Sequence, residues 1–167
     1  AATPPHAANP TAKALADKPR QVYFFATCVI DLMAPQAGMD AIALIRAAGI
    51  AVDFPQAQGC CGQPAYSSGY TDEARRVAAA QLGLFGQPWP IVVPSGSCAG
   101  MLVHHWPRMF ADDPQRSRQA ADIAARVEAF VRNIVIPYER DPRRDHHGAP
   151  MDEMVFELRE KARALGI

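Results

Sequence analysis

Four cysteines in this 167-residue chain carry the chemistry that its sequence suggests. They are Cys28, the adjacent pair Cys60 and Cys61, and Cys98. Thiolate sulfur is a soft ligand, which selects zinc, copper(I) or iron–sulfur centres over hard cations. Structural zinc sites usually show short Cys-x-x-Cys pairs, whereas here about thirty residues or more separate the three positions. The spacing therefore favours a larger inorganic core over a zinc ribbon.

The residues around the cysteines fit the same interpretation. Consecutive side chains in an extended segment point apart, so Cys60 and Cys61 suit a core that can be reached from two directions. Gly59 and Gly62 flank the pair and would let the backbone approach a cluster closely. Cys98 lies where a turn of small residues opens a predicted helix, and we expect that helix start to lower the pKa of its thiol.

Each cysteine position follows a short apolar segment that is typical of a β-strand. These segments are residues 22–26, 50–54 and 89–93. Helices are predicted at 35–48, at 71–85, from near Cys98 to Trp106 before Pro107, and at 114–134. This alternation predicts an α/β fold with a parallel sheet and flanking helices. The carboxyl ends of parallel strands share one edge, so the cysteines should meet there.

The chain is predicted to contain one main domain with appended segments. Residues 1–20 are rich in Ala and Pro and are expected to be a mobile leader, and residues 21–136 form the cysteine-rich domain. Residues 137–167 are predicted to be a polar loop followed by a C-terminal amphipathic helix from Met151. On the helix at 114–134, one side is predicted to carry the apolar residues Ala121, Ala124, Val127, Phe130 and Val131.

Composition excludes several classes of function. Seventeen basic and seventeen acidic residues give a net charge of zero, which argues against a general nucleic-acid surface. No apolar stretch approaches the roughly 20 residues that span a bilayer, so we expect no membrane span and a cytoplasmic location. Two disulfides are the alternative use of four cysteines, but 49% hydrophobic residues can build a core without such staples.

Three motifs resemble one known family. They are Phe25-Ala-Thr-Cys28, Gly59-Cys-Cys-Gly-Gln-Pro-Ala65 and Pro94-Ser-Gly-Ser-Cys-Ala-Gly-Met-Leu102. Together they resemble the CCG-type cysteine-rich domain, a family that includes lactate-utilisation protein A, the iron–sulfur subunit of glycolate oxidase and the cysteine-rich subunit of heterodisulfide reductase. The resemblance covers roughly residues 21–132.

The resemblance implies an iron–sulfur electron carrier within a complex that oxidises lactate or another 2-hydroxy acid. Its partners would be subunits that carry further iron–sulfur clusters or flavin. Cys28, Cys60, Cys61 and Cys98 match the ligand positions of the family. Relatives with five-cysteine sites carry another cysteine three residues before the last one, where this chain has Ser95. A four-ligand cluster, [4Fe-4S], is therefore expected. Full-length relatives contain two such domains, whereas this chain has a single Cys-Cys-Gly motif.

Two other functions stay open from the residues alone. The domain could be a non-redox structural or assembly module whose cysteines hold zinc or stay reduced, or a thiol-dependent enzyme that uses its cysteines as nucleophiles. Several polar residues follow the cysteines and could line the site or pack in an ordinary way: Gln63, Tyr66, Tyr70, His104 and His105.

Overall fold

Three short strands form a parallel sheet at the centre of the molecule. The strands are β1 (Gln21–Phe24), β2 (Ala51–Asp53) and β3 (Ile91–Val92), and their order in the sheet is β2–β1–β3. Gln21 pairs with Ala51 on one side of β1, and Tyr23 pairs with Ile91 on the other. This is a computed structural model, and it describes residues 19–130. The predicted α/β class with a parallel sheet is confirmed.

Helical segments connect and flank the strands. They are α1 (Thr27–Met33), α2 (Pro35–Ala47), α3 (Gln63–Ser67), α4 (Thr71–Leu82), α5 (Gly96–Gly100), a π-helical turn (Met101–His105), α6 (Trp106–Met109) and α7 (Pro114–Phe130). The predicted helices α2, α4 and α7 are present. The short helices α1 and α3 were not predicted, because neither is long enough to show an apolar period.

Two cores of different size lie on the two faces of the sheet. Helices α4 to α7 cover the larger core, whose large buried side chains include Tyr23, Phe25, Phe85, Ile91, Met101, Leu102, Trp106, Phe110, Ile123 and Val127. The smaller core is built around Val22, Phe24 and Ile42, under α2. On α7 the buried residues are Ala120, Ile123 and Val127, and Phe130 packs against the smaller core. The predicted side of this helix was wrong by one position at Ala121 and Ala124, since small alanines give a weak period, and Val131 lies outside the described residues.

The helix after Cys98 continues through Pro107, so the expectation that it ends before Pro107 was wrong. Proline has no N–H and its ring clashes with the carbonyl of the residue four positions earlier. The chain responds with a π-helical turn at Met101–His105, directly before Trp106 and Pro107 in α6. An extra residue in the turn is one of the recognised ways in which a helix absorbs such a disruption.

The face formed by α1 and α2 leaves large apolar side chains exposed. Leu32 is 75% exposed, Met33 80% and Met39 60%. No single helix among residues 19–130 has the length and apolarity to cross a membrane, and α1 with α2 meet that test only as a pair bent by 111°. The predicted leader up to residue 18, and the predicted loop and amphipathic helix of residues 137–167, lie outside the described residues. The predicted domain limits stay a prediction.

Candidate functional site

The structure brings all four cysteines to the predicted edge of the sheet. Cys28 lies on α1 after β1, the adjacent pair follows β2, and Cys98 lies on α5 after β3. The Cys28 Sγ donates a hydrogen bond to the Cys60 Sγ at 3.5 Å. Cys61 and Cys98 form a second pair of neighbouring thiols, in which each thiol shifts the pKa of the other. The pairs also interact electrostatically, since charge on Cys98 affects Cys28 and charge on Cys60 affects Cys61.

The two pairs differ in burial. Cys61 is 0% exposed and Cys98 is 2% exposed, and both belong to the larger core. Cys28 and Cys60 are half-buried. All four are free cysteines. The site therefore has a buried pair, Cys61 and Cys98, and an accessible pair, Cys28 and Cys60.

Cys98 is the thiol most easily ionised in this group. The neighbouring Cys61 thiol, and then the hydroxyl side chains of Ser95, Thr27 and Ser97, lower its pKa from 9.0 to about 5, although burial opposes them. The predicted direction of this shift is confirmed. The predicted cause, the start of the helix, is not the main one, because neighbouring side chains supply the leading contributions. Cys98 is thus prepared as a thiolate near neutral pH.

Two other thiols are held in the protonated form. The hydrogen bond to Cys98 and then burial raise the pKa of Cys61 far above its ordinary value. Burial raises the pKa of Cys28, with a further contribution from its hydrogen bond to Cys60. Within each pair one sulfur donates and the other accepts. A cation would displace these protons, as is usual when thiolates bind a metal.

Thr27 precedes Cys28 and was missed as a site residue. It is 2% exposed and has a φ of 66°, the left-handed region that a β-branched residue rarely adopts. Its hydroxyl has no hydrogen-bond partner among the described residues, yet it lies close enough to Cys98 to lower the pKa of that thiol. Strain of this kind costs about 1–3 kcal/mol and clusters at functional sites. No sequence pattern marks a threonine for this conformation.

The glycine of the Cys-Cys-Gly motif is required by the backbone. Gly62 has a φ of 87°, and a Cβ at this position would lie 3.0 Å from the carbonyl oxygen of Ala74. Its N–H donates to the Cys60 Sγ at 3.4 Å. Glycine therefore lets the chain turn against α4 while its N–H reaches the Cys60 sulfur. The close approach seen at Gly62 is to this helix, and the predicted approach of the backbone to a cluster stays a prediction.

Three further residues hold the cysteine loop and were missed from the sequence. Gln58 bridges loop and strand, accepting from the Ala26 N–H at 2.9 Å and donating to the Phe24 carbonyl at 3.2 Å. The Gln81 side chain is buried and accepts from the Gly59 N–H at 2.8 Å. The Trp106 indole N–H donates to the Cys61 carbonyl at 2.9 Å, fully buried. Polar atoms buried in this way need partners, and here they fix the loop.

A cavity lies beside the cysteines and receives several predicted neighbours of the site. Gln63, Tyr66, His104 and His105 line it. The rings of Tyr66 and His105 are in contact, with centroids 4.6 Å apart. Tyr70 is 64% exposed and is not among the lining residues. From the sequence, both tyrosines were possible neighbours of the site, and the structure places Tyr66 at the cavity and Tyr70 at the surface.

The donor set fits a thiolate-bound inorganic core. Within residues 19–130, no three Cys, His, Asp or Glu side chains are arranged to hold one metal ion. The sulfurs instead form two neighbouring pairs from three connections of the sheet, and the pKa of Cys98 is lowered by the side chains around it. Hydrogen bonds to sulfur and burial are features that tune iron–sulfur centres. All four cysteines are available as ligands.

Comparison with known proteins gives consistent matches. Residues 22–103 match the family model described as the CCG cysteine-rich domain. Lactate utilization protein A 1 of Bacillus anthracis (strain CDC 684 / NRRL 3495) is 39% identical over 118 residues, which is 69% of this chain and 49% of the relative. Lactate utilization protein A of Geobacillus kaustophilus (strain HTA426) is 40% identical over 115 residues, 69% of this chain and 48% of the relative.

The chain spans about half the length of these curated relatives. The matched segment contains all four cysteines, together with Thr27, Gln58, Gln81 and Gly62. No solved structure matches the chain.

Proposed function

We infer the function from one premise, which is that residues 22–103 of this chain belong to the CCG family of cysteine-rich domains. We propose that the domain binds an iron–sulfur cluster through Cys28, Cys60, Cys61 and Cys98, and that it relays electrons in the oxidation of lactate or another 2-hydroxy acid. The observation that supports this most is the convergence of four sulfurs from three elements, with the Cys98 pKa lowered to about 5.

The proposed ligand set is four thiolates, which fits a [4Fe-4S] cluster. Such a cluster supplies one-electron transfer when it is bound. The chain's own residues prepare the sulfurs for it. The hydroxyl side chains of Ser95, Thr27 and Ser97 lower the pKa of the Cys98 thiol. The Gly62 N–H donates to the Cys60 sulfur. Ser95 occupies the position of the fifth cysteine of some relatives, and here its hydroxyl contributes to the low pKa of Cys98.

The proposed partners are the other subunits of a 2-hydroxy acid oxidising complex, carrying iron–sulfur clusters or flavin. Two relatives bear the name lactate utilization protein A, which supports lactate as the first candidate. The accessible pair, Cys28 and Cys60, is the side from which a partner could approach the site. Four free thiols fit a reducing compartment, so we place the domain in the cytoplasm as part of the same proposal.

The test is anaerobic purification of the chain followed by iron and sulfide analysis. We expect brown protein with broad visible absorption, bleaching with dithionite, and about four irons per chain. The variants Cys61→Ala and Cys60→Ala should each lose most of that iron. Ser117→Ala, on α7, is the matched control and should keep it.

Two results would contradict the proposal. Colourless protein with one equivalent of zinc would support the structural or assembly alternative instead. Colourless, metal-free protein with one hyper-reactive thiol would support a thiol enzyme.

A further inference from the structure

The cavity beside the cysteine site has the size of a small-molecule site. Its volume is about 510 Å³, within the range of roughly 300–1,000 Å³ that is typical of ligand pockets. It lies between α3 and the helical segment 96–105. Gln63 follows the Cys-Cys-Gly motif directly and Ser97 precedes Cys98, so the cavity adjoins both cysteine-bearing turns.

The lining offers hydrogen bonds without a fixed charge. None of the described residues that line the cavity is Asp, Glu, Lys or Arg. Gln63, Tyr66 and Ser97 can each donate or accept a hydrogen bond, and two histidines add ring nitrogens. A permanently charged ligand would lack a counter-charge here, whereas carbonyl or ring-nitrogen acceptors would be satisfied.

The lining also offers flat and polarisable surface. The Tyr66 and His105 rings meet at 44° in the wall of the cavity, next to the thioether of Met101. Aromatic rings favour offset or edge contacts with other rings, and thioether sulfur makes favourable contacts with aromatics. A planar ring fits this wall better than a short aliphatic acid does, because three or four carbons would leave most of the volume unfilled.

The geometry of His105 gives a second, independent indication. Its Nδ1 is buried and has no hydrogen-bond partner among the described residues. A hydrogen on Nδ1 would be a buried donor without an acceptor, so the tautomer with hydrogen on Nε2 is favoured and Nε2 becomes a donor. His105 also ends the π-helical turn, and π-helical turns occur frequently at functional sites.

We propose that this cavity binds the planar ring of a redox carrier, a quinone or a flavin, with its carbonyl oxygens accepting hydrogen bonds from the cavity wall. Binding depends on Tyr66, His105 and their neighbours, and does not require iron. Gln63 and Ser97 connect the cavity to the turns that carry Cys61 and Cys98, and this gives the ring a role in electron transfer only if the proposed function holds.

The experiment titrates the whole chain with menadione and, separately, with riboflavin. Binding is followed by the imidazole NMR signals of His104 and His105. We expect one of the two rings to bind in the micromolar range and to shift these signals. Tyr66→Ala should weaken that binding about tenfold, since it removes a ring contact. Tyr66→Phe keeps the aromatic ring and removes only the hydroxyl, so it should weaken binding less than Tyr66→Ala does. Binding by Tyr66→Phe also shows that a substitution at this position leaves the chain folded.

Tyr70→Ala is the matched control, because this tyrosine is close in sequence, exposed, and not part of the lining. Binding by menadione alone identifies a quinone site, and binding by riboflavin alone a flavin site. The inference is overturned if neither ring binds, if Tyr66→Ala and Tyr70→Ala have equal effects, or if sodium lactate binds more tightly than both rings. Iron content is measured on the same samples: iron without ring binding contradicts this inference alone, and ring binding without iron contradicts only the electron-relay proposal.

Discussion

The accessible pair and the buried pair of cysteines lie at one edge of one small sheet but in different environments. Cys61 and Cys98 lie in the larger core, where Trp106 holds the Cys61 carbonyl and the side chains of Ser95 and Thr27 lower the pKa of Cys98. Cys28 and Cys60 lie half-buried, and Cys28 shares α1 with the exposed Leu32 and Met33.

The difference teaches that one site can combine two requirements. A sulfur centre needs a rigid, water-poor surrounding if its hydrogen bonds are to act strongly on it. It also needs at least one ligand close to the protein surface if electrons are to pass to another protein. In the proposed function, Cys61 and Cys98 would meet the first requirement, because they are buried, and Cys28 and Cys60 the second, because they are half-buried.

Alkylation of the iron-free chain should show the largest contrast between the pairs. Cys28 and Cys60 should react with iodoacetamide at least about tenfold faster than the buried pair, because Cys61 and Cys98 become accessible only on local opening. The measurement is peptide mass spectrometry over time at neutral pH, with a urea-unfolded sample as control. Faster labelling of Cys98 would mean that its low pKa, rather than its burial, decides reactivity.

The pH dependence of stability should follow Cys98 in the iron-free, reduced chain. Its folded pKa of about 5 lies below the ordinary value of 9.0, so the unfolded chain binds more protons between these values. The free energy of unfolding should therefore rise as the pH increases from about 5 towards 9.0. This contribution of Cys98 to stability is lost as the pH falls back through about 5.

Cys28 and Cys61 have raised pKa values. Their contribution to the free energy of unfolding is therefore complete below pH 9.0 and is lost only at higher pH. Urea unfolding at several pH values tests this. Cys98→Ala should flatten the profile between pH 5 and 8, whereas Cys28→Ala should preserve it. An unchanged slope in Cys98→Ala would refute the assignment.

Gly62→Ala should destabilise the chain by roughly 2–3 kcal/mol, because it adds a strained φ to a contact with the Ala74 carbonyl. Gly69→Ala is the matched control. Gly69 has a φ of 84° but nothing within 4 Å of a Cβ, so it should lose only about 1 kcal/mol. Equal losses in urea unfolding would show that the close approach to α4 is unimportant.

Trp106→Phe should have the smallest effect, a loss of about 1–2 kcal/mol. It keeps an aromatic ring in the larger core but leaves the buried Cys61 carbonyl without its donor. Trp89→Phe is the comparison, since the Trp89 indole N–H has no hydrogen bond among the described residues. Thermal unfolding of the two variants measures the difference, and equal losses would argue that ring volume alone accounts for it.

The sheet and the cysteine positions could be predicted because they depend on short-range patterns. Apolar segments alternate with helical ones, and the parallel arrangement then places residues 28, 60–61 and 98 at one edge. The cause of the low Cys98 pKa could not be predicted. It depends on side chains that meet only in the folded chain, such as Thr27, which comes from another strand connection.

The missed elements have physical reasons as well. Helix α3 has five residues and is held between Gly62 and the turn at Gly69, so it carries no period of its own. Gln58 and Gln81 are typical surface residues by type, and only their bonds to the backbone of another segment explain their burial. Pro107 predicts a helix end locally, but the packing of Trp106 and Phe110 keeps the helix intact.

The π-helical turn also sets an angular relationship along the segment 96–109. Each residue rotates an α-helix by about 100°, so one inserted residue turns everything beyond it by more than a quarter of a revolution. Cys98 before the turn and Trp106 after it can consequently both face the Cys-Cys-Gly loop, one through its sulfur and the other through its indole. The π-helical turn before Pro107 thereby sets the angle at which both Cys98 and Trp106 reach the Cys-Cys-Gly loop.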